Sequence, residues 1–183
     1  TAVAGEATAT LVEAGGVDNG TPGTATSTIT VTSSDNSGAA NFDTDTMIAS
    51  GGWTDTGSGL TFTKAGTYGT ATFTKATGEI AYALDDAKPE TQALASASSN
   101  EDAFTVVVVD AAGNSGSADA VFTITGTNDA PTVSAAILET TEITTDASAV
   151  TEINLLENAS DADADETASL IVSDLTYTVD RKS

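Results

Sequence analysis

Apolar and polar residues alternate with a period of two in one short stretch after another, and this restricts the chain to β-structure. In residues 25–31, Ile29 and Val31 fall on one side and Thr26, Thr28 and Thr30 on the other. That is the pattern of a strand with one face buried. Leu60 and Phe62 share a face, as do Ile80, Tyr82 and Leu84, and again Phe122 and Ile124. The run Phe104-Thr105-Val106-Val107-Val108-Val109 reads as a strand buried on both faces. Further strand signals fall at residues 169–172 and 175–179.

Turn formers separate these stretches. Asn19-Gly20, Asp35-Asn36-Ser37-Gly38, Thr77-Gly78 and Asn114-Ser115-Gly116 each mark a reversal. Residues 67–74 and 79–84 predict one hairpin, and residues 104–110 and 117–125 another. A helix is expected only as one turn at Pro89-Glu90-Thr91-Gln92-Ala93-Leu94, with Pro at its start. Residues 33–58 read as irregular. Frequent turns between short strands predict an all-β, antiparallel β-sandwich with Greek-key connections. The clearest boundary is Thr125-Gly126-Thr127-Asn128-Asp129-Ala130-Pro131, where turn formers follow a strand and Pro restricts what precedes it. It predicts a sandwich over residues 1–131 and the start of a second β module over residues 132–183. The second stretch is thin for an independent sandwich, because small domains bury little surface. It is expected to be truncated or completed by a neighbouring chain.

Composition narrows the function. The chain carries 27 Asp and Glu against 5 Lys and Arg, for a net charge of -22. Such a chain lacks the basic patch that nucleic acids or anionic membranes require. Cationic partners fit better, and Ca2+ suits hard carboxylate oxygens. The same acidity would also keep a protein soluble in brine. Cysteine and histidine are absent, so disulfides, thiolate metal sites, imidazole bases and conventional catalytic triads are excluded. No phosphate-cradling motif is present, and no nucleophile–base set can be assembled. A non-catalytic role is expected. The apolar run at residues 104–109 is too short to span a bilayer. The opening residues resemble no signal peptide, which suggests a piece excised from a longer chain.

Gly126-Thr127-Asn128-Asp129-Ala130-Pro131 resembles the repeat terminus of VCBS-type domains, which recur in giant bacterial RTX-type adhesins and related surface proteins. Gly66-Thr67-Tyr68-Gly69-Thr70 followed by Gly78-Glu79-Ile80-Ala81-Tyr82-Ala83-Leu84-Asp85 resembles that family's central hairpin. Gln92-Ala93-Leu94, Phe104-Thr105-Val106 and Asp110-Ala111-Ala112-Gly113 resemble its later strands, and Leu11-Val12-Glu13-Ala14-Gly15-Gly16 its opening. The likeness covers residues 8–131. The same positions are distantly similar to cadherin repeats, and the resemblance implies an immunoglobulin- or cadherin-like sandwich with calcium at the junction between repeats. By that likeness Asp85 matches the Leu-Asp carboxylate, Asn128 and Asp129 match the linker, Asp161 and Asp163 match the Asp-x-Asp of the next repeat, and Glu13 matches the Glu near the repeat start. Gly126 and Ala87 stand where that pattern carries carboxylates.

Calcium takes six to eight oxygens from carboxylates, carbonyls and water. The candidate ligands are Glu13, Asp85, Asn128, Asp129, Asp161, Asp163 and Asp165. The densest cluster, Asp161-Ala162-Asp163-Ala164-Asp165-Glu166, begins like an EF-hand loop, but Glu166 and Val172 occupy the positions that loop reserves for Gly and the bidentate Glu. It reads either as a calcium loop or as a solvated acidic turn. Asp110 and Asp35 read as turn caps, and Asp43 with Asp45 as an Asp-x-Asp without a nameable partner. The single Trp53 reads as a core side chain or as a sugar-stacking platform. The expected function is a calcium-stiffened, extracellular repeat module of a bacterial surface adhesin, with structural and adhesive roles in cell adhesion or biofilm. Its partners would be neighbouring repeats and a host or biofilm glycan or protein, with no nucleic acid and no membrane insertion. The alternative is a carbohydrate- or peptide-binding module within an adhesin or a secreted hydrolase.

Overall fold

The computed structural model describes residues 7–15, 26–31, 41–110, 112–134 and 154–176. The reversals expected at Asn19-Gly20 and at residues 35–38 lie outside these. Two sheets face each other. One contains β1 (Ala7–Val12), β3 (Asn41–Phe42), β8 (Ser99–Val109) and β9 (Ser115–Thr125), in the order β1-β9-β8-β3. The other contains β2 (Thr26–Thr30), β4 (Thr54–Asp55), β5 (Thr61–Ala65), β6 (Gly69–Thr74) and β7 (Glu79–Leu84), in the order β2-β7-β6-β5-β4. All pairings are antiparallel except β1 with β9, which runs parallel and places Leu11 beside Ile124. Both hairpins expected from sequence form, as β6–β7 and β8–β9.

The inner faces carry the aromatic residues. Tyr82 of one sheet stacks on Phe122 of the other at 4.9 Å between ring centroids and lies 5.5 Å from Phe104. Phe73 meets Phe42 edge-on at 4.8 Å and Trp53 at 5.9 Å. Each such ring contributes about 1.5–3 kcal/mol by leaving water, and each ring pair about 1 kcal/mol beyond that. The opposite face of β2, β5 and β6 is mostly threonine, a side chain that fits a pleated solvent face.

The polar residue Asp102 is buried beneath this core. Its carboxylate accepts from Thr67 N at 2.9 Å, Tyr68 N at 3.0 Å and Tyr82 Oη at 2.5 Å. Hydrogen bonds to a charged group are worth about 1.5–3 kcal/mol each, so three together offset a desolvation cost of several kcal/mol. Burial of the Tyr82 ring, and then its bond to Asp102, hold that phenol well above its usual range. The Gly66 backbone packs directly on the same carboxylate, leaving no space for a Cβ.

Several local expectations are corrected. Phe104–Val109 is not buried on both faces. It is the second half of an eleven-residue strand whose outer residues Thr105, Val107 and Val109 are half-buried. Leu60 does not share the core face with Phe62, because it precedes β5 in an exposed turn. Within the stretch read as irregular, α1 (Thr44–Ala49) forms, capped by Asp43, which accepts from Thr46 N at 3.0 Å. The one-turn helix is present as α2 (Pro89–Gln92). In the second segment β10 (Thr132–Val133) pairs with β11 (Ala159–Ser160). Residues 170–176 are not a strand, and Ile171, Val172 and Leu175 are exposed. A strand needs a ladder and a covered face, and among the described residues nothing pairs with this stretch. Residues 177–179 lie outside the described residues.

Beyond β9 the chain passes through a tight collar. Gly126 N donates to Ser98 O at 3.0 Å, and Ala97 N donates to Gly126 O at 3.1 Å. A Cβ at Gly126 would stand 2.3 Å from Leu94 O and 2.5 Å from Ala95 O. Because those neighbours are backbone, Gly126→Ala should destabilise the protein by about 2–3 kcal/mol through overpacking. Gly113→Ala, in a turn with open space around it, should cost about 1–2 kcal/mol from its left-handed φ of 84 alone. Urea denaturation of both variants checks the order. Equal losses would show that the collar gives way.

Candidate metal centre

Three strand ends deliver carboxylates to one end of the sandwich. Leu11 points into the core from β1, and Glu13, two residues on, continues the same face with no exposure. Leu84 points inward from β7, and Asp86 stands two residues beyond it. Strand β9 runs parallel to β1 and leads through Gly126 to Asp129, which is buried. Backbone bonds tie the ends together. Glu13 N donates to Thr125 O at 3.0 Å, Thr127 N to Glu13 Oε2 at 3.2 Å, and Ala14 N to Asp86 Oδ1 at 3.4 Å.

The acidic loop of the second segment closes on this end. Ala164 N donates to Ala93 O at 3.2 Å, which seats the loop against the residue that follows α2. Asp163 is only 2% exposed. Its Oδ2 accepts from Asp129 N at 2.8 Å, while its Oδ1 is buried and has no hydrogen-bond partner among the described residues. Asp163 N donates to Asp161 Oδ1 at 3.0 Å. Carboxylate oxygens of Asp161, Asp163 and Glu166 lie within 4.8 Å of one another. A cleft bordered by Gln92, Asp129, Thr132, Ser160 and Asp161 opens beside them.

The electrostatics follow from burial and like charge. Burial pushes Glu13 up to about 7 against the downward pull of the Thr127 N–H, and the charges of Asp129, Asp163 and Asp86 add to the rise. Asp163 is raised by burial and by the charges of Asp129 and Asp161, and Glu166 by burial and by Asp163 and Asp161. Clustered acids with upward shifts are poised for a hard divalent cation, which would supply the missing positive charge.

Of the residues named from sequence, Glu13, Asp129, Asp161 and Asp163 come together here. Asn128 is adjacent and exposed, and its Nδ2 donates to Asp129 O. Asp85 is exposed, and its Oδ1 accepts from Ala87 N at 3.1 Å in its own turn. The neighbouring Asp86 faces Glu13 instead, which continuing the inward register of Ile80, Tyr82 and Leu84 would have indicated. Asp165 is exposed with φ of 67, and that left-handed residue brings Glu166 rather than itself to the cluster. Asp110 accepts from Ala112 N and Asn114 N at 2.9 and 2.8 Å, as a turn cap does. Trp53 is a core residue, 2% exposed, and its Nε1 donates to Thr105 O at 3.0 Å, so it offers no stacking platform. No family model and no curated protein matches the sequence.

The Glu13 shift sets a pH dependence. Its carboxyl is raised from 4.5 when unfolded to about 7 when folded. In chelator, stability should therefore fall between about pH 4.5 and 7, by up to about 3 kcal/mol, because only the unfolded chain ionises freely there. Below that window the sign reverses. Asp43, Asp55 and Asp110 are held below their usual range by hydrogen bonds and lose that stabilisation as pH falls. Denaturation series at pH 5 and pH 8 on the wild type and Glu13→Gln should show the decline flattened in the variant. An unchanged slope would remove Glu13 as its source.

Proposed function

We propose that the chain is a calcium-stiffened, non-catalytic repeat module of an extracellular bacterial surface adhesin, with Ca2+ held where the sandwich meets the following segment. The observation that carries this reading is Asp163 Oδ1, a buried oxygen without a hydrogen-bond partner among the described residues, beside the carboxylates of Asp161 and Glu166 and near those of Asp129 and Glu13. Leaving such an oxygen unsatisfied costs several kcal/mol unless a charge meets it. The residues present fit the ion. Asp161, Asp163 and Glu166 are hard oxygen donors within reach of one another, Asp129 and Glu13 stand beside them, and backbone carbonyls and water would complete a set of six to eight.

Bound Ca2+ would supply the positive charge that offsets their mutual repulsion. Glu13 and Asp86 belong to the sandwich, Asp129 to the linker, and Asp161, Asp163 and Glu166 to the segment beyond. A shared centre ties these parts at one tilt. Modules joined in this way transmit position along a chain by nearest-neighbour contacts. The VCBS and cadherin likeness of residues 8–131 supports placing such an array on a bacterial surface, with neighbouring repeats as the first partners. Among the described residues no helix is long and apolar enough to cross a membrane.

Calcium at a hundredfold excess over its dissociation constant should add about 2.7 kcal/mol of stability. Asp129→Ala and Asp163→Asn should each weaken calcium binding by tenfold or more. Asp119→Ala should not, since Asp119 sits on the exposed side of β9 and accepts only from Thr105 Oγ1 at 2.6 Å. Calorimetric titration, with solution scattering before and after chelation, measures both effects. A melting temperature and particle length indifferent to chelator would end this reading.

A further inference from the structure

Resting on that reading, we infer that Gln92 is a specificity-determining residue of the junction, supplying the neutral oxygen that favours Ca2+ over Mg2+. Gln92 ends α2 and stands between the two groups of acids. On one side its Nε2 donates to Glu13 Oε1 at 3.4 Å. On the other, the residue borders the cleft whose walls include Asp129 and Asp161. It is the one amide side chain on that cleft. The residue after it, Ala93, receives the acidic loop through Ala164 N at 3.2 Å, so the amide is held against the segment that carries Asp161 and Asp163.

The chemistry assigns the role. An amide that gives its NH2 to one carboxylate carries a carbonyl oxygen on its other branch. Such an oxygen adds a ligand without adding charge to an already repelling cluster. Mg2+ demands six ligands in a tight octahedron and keeps its waters, whereas Ca2+ accepts six to eight at longer range. One more protein oxygen therefore rewards the larger ion. Meanwhile the Nε2–H and the Thr127 N–H occupy both oxygens of Glu13, fixing the plane of that carboxylate.

The test uses the intact 183-residue chain, in which Gln92 is the single glutamine, so its side-chain NH2 resonance is unique once the asparagine signals are assigned. CaCl2 should shift that resonance and MgCl2 should leave it nearly in place. Gln92→Ala should lower the Ca2+/Mg2+ affinity ratio by roughly tenfold, the scale of a lost supporting group. Gln92→Asn, which keeps a neutral amide oxygen, should lose less of the ratio than Gln92→Ala, and well-dispersed amide spectra of both variants establish that they fold. If the wild type binds Ca2+ while the resonance stays fixed and Gln92→Ala keeps the ratio, this inference fails and the junction site stands. Equal losses in the Ala and Asn variants would also overturn it. If the wild type binds no Ca2+, the proposed function itself has failed.

Discussion

Backbone geometry working against electrostatic repulsion sets the character of this molecule. Glu13 is placed by the register of β1 on β9, Asp86 by the exit of β7, and Asp129 by a linker that must pass the collar at Gly126. None of these positions is chosen by its charge. Each is imposed by a strand that ends where it does because its core residues, Leu11, Leu84 and Ile124, are locked inside. The aromatic stack across the sheets therefore determines where the acids stand. Hydrophobic burial holds these acids close, and Glu13 is raised chiefly because it is buried there, with the charges of Asp129, Asp163 and Asp86 adding to the shift.

The two buried acid systems show opposite solutions to the same cost. Asp102 is satisfied from within the domain, by two backbone N–H groups and the Tyr82 hydroxyl. It needs no ion and pins the loop before β6 to the core. Lys88 adds to that pin through bonds to Gly66 O and Thr67 O at 2.8 and 2.9 Å. Asp163 receives one backbone N–H and, among the described residues, its other oxygen has no partner. A buried carboxylate with a full set of donors is structural, whereas one with an open oxygen beside other acids is a place for an external charge. The difference lies in donors, because both residues are buried.

Much of this was legible in the sequence because the core obeys a period of two. Ile80, Tyr82 and Leu84 point inward as their spacing requires, and so do Phe122 and Ile124. At the proposed site the motif spacing and the geometry differ by one residue at two positions. Asp85 and Asp165 were named from motif spacing, yet Asp86 lies near Glu13 and Glu166 near Asp161 and Asp163. In the first case the strand's own alternation carried the better signal. In the second, a left-handed φ at Asp165 broke the alternation, and nothing short of the backbone would have revealed it. Helix α1 was missed because its six residues include two threonines and an Asp, all weak helix formers, and it depends on the Asp43 cap and on burying Met47.

The departures from the cadherin pattern now have a physical reading. Gly126 stands where that pattern carries an acid, and Leu94 O, Ala95 O and Ser98 Oγ occupy the volume a side chain would need. The loop of residues 94–98 fills that volume. That loop continues from α2, and α2 brings Gln92 to the cleft and Ala93 to the acidic loop. The loop that leaves no room for a side chain at Gly126 thus continues from the helix that places an uncharged amide on the cleft. Asp86, between the exposed Asp85 and Ala87, lies near Glu13, and Glu166, one residue after the exposed Asp165, lies near Asp161 and Asp163. Such one-residue shifts are what a cation held by oxygen count, rather than by fixed geometry, would tolerate.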